Sequence, residues 1–146
     1  MTQEIATNNP LAAFKPFIGG KWHLDGTYQT LEWGVGQKSV VARNYFPSED
    51  GMQLVSEGFW YWHPAERQIR GTFTAIHMPV EVFEYVTHFE EDKMVSDLRS
   101  YTPEGGEERF VEEWELTGPN RYQWRLLAPT PAGAQQAMGG IYTRGE

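Results

Sequence analysis

Glu112 stands in the run Phe110-Val111-Glu112-Glu113-Trp114-Glu115-Leu116, which alternates as a strand does. Phe110, Trp114 and Leu116 share one face, with Val111, Glu113 and Glu115 opposite, so Glu112 is a carboxylate on an apolar face. An inward carboxylate costs free energy unless it is hydrogen-bonded, paired or beside trapped water. Such a group can anchor a ligand or, with its pKa raised by burial, exchange a proton. An ion pair with an inward arginine, or a bulge that turns the residue out, are the plainer alternatives. Downstream, Tyr122, Trp124 and Leu126 share a face and leave Arg121, Gln123 and Arg125 to solvent.

Arg43, Glu57 and Arg70 pose the same question on less regular ground. Arg43 alternates with Val41 and Tyr45, and Glu57 with Phe59 and Tyr61. The opposite faces, Ala42/Asn44 and Gly58/Trp60/Trp62, are also partly apolar, so parity alone leaves the direction open. Pointing inward, Arg43 and Glu57 would form an interior ion pair between adjacent strands; pointing outward, they serve structure or solvation.

Other chemistries find less support. The histidines His23, His63, His77 and His88 show neither an i, i+2 nor an i, i+4 pair, so no metal spacing is present. Gly34, Gly36, Lys38 and Ser39 lack the spacing and the following helix of a phosphate loop. No nucleophile elbow occurs. With no cysteine, disulfides, thiolate metal sites, iron–sulfur clusters and a cysteine nucleophile are excluded. No cofactor is expected. The acidic runs Glu90-Glu91-Asp92 and Glu104/Glu107/Glu108 fall in turns and read as solvated surface.

The positioning elements follow from composition and punctuation. Twelve Lys+Arg against 20 Asp+Glu give a net charge of −8 over 146 residues, which argues against nucleic acid and anionic membrane. Residues 1–9 are polar and carry Glu4, so no secretory signal is expected; no apolar stretch approaches a membrane span, and a cytoplasmic location is anticipated. Phe, Trp and Tyr make 14% of the chain along its whole length, which favours pleated, half-buried surfaces. Asn9 can cap a short helix with Pro10 in its first position and Leu11 to Phe14 following, and Pro16 is expected to stop it. Beyond it, strands are predicted at 22–26, 28–33, 38–46, 52–62, 67–75, 80–89, 93–101, 107–116, 121–127 and 136–144, with a longer loop at 128–135. Ten strands with short connections form an antiparallel meander, and an up-and-down barrel removes its free edges. A sandwich needs long crossovers that are absent here. Residues 1–146 therefore read as one all-β domain.

Phe17-Ile18-Gly19-Gly20-Lys21-Trp22 places a Gly-x-Trp at the first strand, and Arg144 ends the last. This resembles the calycin superfamily: lipocalins, fatty-acid-binding proteins, nitrobindins and small bacterial β-barrels of unassigned activity. Glu57-Gly58-Phe59-Trp60-Tyr61-Trp62 and Gly139-Gly140-Ile141-Tyr142-Thr143-Arg144 are similar to segments of the bacterial members. The resemblance implies a ten-stranded barrel in which Arg144 lies across the face of Trp22. It also implies, from fatty-acid-binding barrels, an anion contact at Arg43. Nitrobindin-like proteins bind haem through a histidine late in the barrel, yet no histidine follows His88 here, which counts against haem.

These readings converge on a cavity. The first expectation is a barrel that binds a small apolar or aromatic molecule through Arg43, Glu57, Phe59, Tyr61, Glu112, Trp114, Trp124 and Tyr142. The alternative is a cofactor-free lyase, isomerase or cyclase, with Glu112 or Glu57 as general acid/base and Tyr61 or Tyr142 as proton donor. Haem binding ranks third. A homodimer is also anticipated, through whichever of Trp33, Trp60 and Trp62 faces out.

Overall fold

The structure, a computed structural model, describes residues 8–146, so residues 1–7 of the polar start lie outside the described residues. The strands are β1 (Lys21–Leu24), β2 (Thr27–Trp33), β3 (Ser39–Ser48), β4 (Gly51–His63), β5 (Gln68–Ala75), β6 (Val82–Glu90), β7 (Lys93–Tyr101), β8 (Glu107–Gly118), β9 (Arg121–Thr130) and β10 (Gly133–Gly145). Each pairs antiparallel with the next, and β1 closes on β10. The protein is the expected all-β, up-and-down, ten-stranded barrel.

Two local expectations are corrected. Asn9 Oδ1 does accept the backbone N–H of Leu11, at 2.9 Å. The turn that follows, however, is a 3-10 helix over Ala12–Phe17 with Pro16 inside it rather than ending it. The turn is held by N–H groups of Ala12, Phe14 and Ile18, so the missing N–H of Pro16 interrupts none of these bonds. The loop expected at 128–135 is instead a tight hairpin, in which β9 runs through Pro129 to Thr130 and β10 begins at Gly133. Gly133 takes φ of +106°, and its carbonyl accepts the Thr130 hydroxyl.

The 3-10 helix plugs one end of the barrel. Leu11, Phe14 and Phe17 are fully buried there. Phe14 packs on Trp60 at 5.1 Å and on Phe89 at 5.0 Å, while Phe17 meets Trp114 edge-on at 5.6 Å. At the same end Trp22 is inaccessible, donates its indole N–H to the Phe17 carbonyl at 2.9 Å, and carries the Arg144 guanidinium 4.5 Å above its ring. Arg144 also donates to the carbonyls of Ile18 and Pro119 and to Asn120 Oδ1, so its fork ties three chain segments together. Gly20 makes room for it: φ is +71°, and a Cβ would lie 2.8 Å from Arg144 Cγ and Cδ.

The other end is less complete. β1 and β2 are short, so from Gly133 to Tyr142 β10 pairs with β9 alone, and from Phe46 to Ser48 β3 pairs with β4 alone. The wall is notched at the tip of the β1–β2 hairpin. Phe46, Met52, Ile76 and Met138 are exposed in this half of the barrel. Of the tryptophans considered for a dimer surface, Trp60 is buried in the core and Trp33 and Trp62 are half-buried and pack against it.

Candidate functional site

Between the plugged end and the notch lies a cavity of about 280 Å³. That is just under the usual small-ligand range of about 300–1,000 Å³. Its lining includes Trp60, Tyr85, Glu112, Trp114, Trp124 and Tyr142, with Gln29, Asn44 and Ser56 as polar points and Phe46, Met78 and Met138 towards the opening. Among the described residues, no lysine, arginine or histidine lines it.

Glu112 turns inward as the alternation predicts, and only 8% of it remains exposed. The β8–β9 register places Trp114 opposite Trp124 and Glu112 opposite Leu126, so both indoles reach the carboxyl. Trp114 Nε1 donates to Oε2 at 3.1 Å and Trp124 Nε1 to Oε1 at 3.4 Å. Burial raises the Glu112 pKa from its ordinary 4.5 to about 7, with the two indole bonds pulling the other way. The carboxyl therefore changes charge near neutrality. Two donors fix its plane, and each oxygen keeps a lone pair for a further partner.

Three tyrosines surround it. Burial holds the phenols of Tyr85, Tyr122 and Tyr142 protonated well above their usual range, and the Glu112 charge adds to the effect in each. Tyr122 Oη donates to Gln29 Oε1 at 2.6 Å, and Gln29 Nε2 donates to Asn44 Oδ1 at 3.3 Å. The Tyr85 and Tyr142 hydroxyls have no hydrogen-bond partner among the described residues. Trp114, Tyr122 and Tyr142 stack in a ladder across β8, β9 and β10, at 4.7 and 4.8 Å. Trp60 lies over Gly71, and its indole N–H is buried with no partner among the described residues.

The structure brings Glu112, Trp114, Trp124 and Tyr142 together as expected. It sends Arg43, Glu57, Phe59 and Tyr61 to the outer wall, where they line a shallow surface depression with Val41 and Thr72. In β3 and β4 the inward positions are Val40, Ala42, Ser56, Gly58 and Trp60. Arg43 and Glu57 do pair, Nε to Oε1 at 3.2 Å, but as a half-exposed surface bridge. The interior ion pair, the anion contact at Arg43, and the roles offered to Glu57 and Tyr61 inside the cavity are thereby corrected. Arg70 also faces out and pairs with Glu66.

Sequence reasoning passed over Tyr85 and Gln29. Both were legible: Phe83, Tyr85 and Thr87 alternate against Glu84, Val86 and His88, and Gln29 shares parity with Leu31 and Trp33. A haem fits poorly, since none of the four histidines lines the cavity. No group of metal-ligating side chains occurs among the described residues, and no helix there is long and apolar enough to cross a membrane. No protein-family model, curated protein or solved structure matches the chain.

Proposed function

We propose that this protein is a calycin-like barrel that binds one compact apolar or aromatic molecule. The supporting observation is the 280 Å³ cavity, whose walls are rich in aromatic side chains and whose Glu112 carboxyl is held by two indoles. Apolar walls supply affinity, and a few oriented polar groups set specificity. The opening near Met78 and Met138 gives a path to solvent. Native mass spectrometry of protein purified from its own cell should show a single small adduct. In vitro, 1-fluoro-4-propylbenzene followed by fluorine NMR should bind saturably, and Leu126→Trp, which fills the cavity, should abolish that binding while leaving a cooperative thermal transition. Saturable binding that survives Leu126→Trp would remove the cavity from the reading.

A second reading is cofactor-free acid–base catalysis in the same cavity. It draws on a carboxyl titrating near 7 beside two tyrosine hydroxyls without a hydrogen-bond partner among the described residues. Glu112 would exchange the proton and Tyr142 would donate one. Recovering the cellular adduct chemically unchanged after prolonged incubation favours binding; its conversion, abolished by Glu112→Gln, favours catalysis.

A further inference from the structure

We infer that the polar group this cavity receives is a protonated amine on a compact aromatic ligand, seated at Glu112 within a cage of Trp60, Trp114, Trp124, Tyr85 and Tyr142. This deepens the binding reading and rests on it. The sign of charge is the first argument. Among the described residues, Glu112 is the one acidic or basic side chain in the lining, and none of them supplies a cation there to meet an anion. A ligand carboxylate would be buried without a counter-charge beside a group of its own sign. An ammonium would meet a carboxylate whose two oxygens are already aimed by the Trp114 and Trp124 indoles.

The walls supply the second argument. Trp60 packs edge-on against Tyr85 at 5.7 Å and Trp114 at 5.8 Å, and Trp124 meets Tyr142 at 6.2 Å. Aromatic rings lining a desolvated space attract an organic cation wherever they present a face to it, through their quadrupoles. The Tyr85 and Tyr142 hydroxyls, unpartnered among the described residues, can accept the remaining ammonium protons. The chain's net charge of −8 raises the local concentration of cations rather than anions at its surface.

Three ligands of nearly one shape test this by fluorine NMR at pH 8: 4-fluorophenethylamine, 1-fluoro-4-propylbenzene and 4-fluorophenylacetate. The amine should bind at least about tenfold tighter than the propyl compound, chiefly through its charge-assisted contact with the Glu112 carboxylate, with the acetate weakest. In Glu112→Gln, the ratio of amine to propyl affinity should fall to within about threefold of unity, since the ionic part of the contact is gone. Propylbenzene or acetate binding as tightly as the amine would overturn the inference while leaving the cavity reading intact. Binding of none of the three would overturn both. The wild-type series decides even if the variant fails to fold.

Discussion

Trp124 stands opposite Trp114 in the β8–β9 ladder, and the two indoles donate to different oxygens of the same Glu112 carboxyl. The arrangement fixes the orientation of a group whose charge the cavity disfavours. Stability and pH are therefore linked through this residue. Its folded pKa of about 7 exceeds its ordinary 4.5, so between those values the folded state holds more protons than the unfolded one. Glu112 thus costs nothing in acid, and its penalty grows as pH rises to about 7 and then levels off. Urea unfolding at pH 5 and pH 8 should show Glu112→Gln gaining on wild type by about 2–3 kcal/mol across that interval. An unchanged difference between the two pH values would mean that the carboxyl is not desolvated.

The plugged end should dominate stability. Trp22 combines full burial, a hydrogen bond to Phe17 and the Arg144 contact. Trp22→Ala should lower the unfolding free energy by about 3–5 kcal/mol, as the loss of a large core aromatic does. Arg144→Lys should also destabilise, because an ammonium cannot reproduce the planar fork that reaches Ile18, Pro119 and Asn120. Chemical denaturation of the two variants measures both.

Gly71 tests the seat of Trp60. An added Cβ would lie 2.8 Å from Trp60 Cδ1 and 2.9 Å from Nε1. The indole is buried among Phe14, Phe73, Tyr85 and Trp114 and has little freedom to yield. Gly71→Ala should cost about 1–3 kcal/mol by overpacking. A thermal midpoint equal to wild type would show the ring to be mobile.

The outer wall should be quiet. Arg43→Ala breaks only the half-exposed bridge to Glu57, so stability should change by less than about 1 kcal/mol. Binding of any cavity ligand should be untouched, since Arg43 is across the sheet from it. A loss of binding in Arg43→Ala, measured by the same NMR titration, would put the ligand on the outside.

That test goes to what could be read from the chain. In β8 and β9 each strand has one apolar face and one charged face, so Glu112, Trp114 and Trp124 were assigned inward from pattern alone. In β3 and β4 both faces carry apolar groups. Val40 and Val41 are adjacent, as are Phe59, Trp60, Tyr61 and Trp62, so the outer face that carries Arg43 and Glu57 is itself mostly apolar and gives little to orient by. A register shift after Asn44 further disturbs the alternation there. The hairpin at Pro131 was obscured by two prolines that normally mark loops, whereas Pro129 sits in β9 opposite Ala134 near the tip. The Trp22–Arg144 contact was implied by the calycin resemblance, and closing the meander, which brings the first strand beside the last, puts the two residues within reach.

The notch beside the β1–β2 hairpin divides the barrel by how its amides exchange with solvent. Along Gly133–Gly139 β10 is exposed and bonded to β9 on one side only, so it can detach there without disturbing the aromatic plug at the far end. Opening free energies for that stretch belong to the local scale, while those around Trp22 and Tyr122 approach the global one. Amide exchange at the mouth is therefore expected to proceed on its own clock, without unfolding of the plugged half.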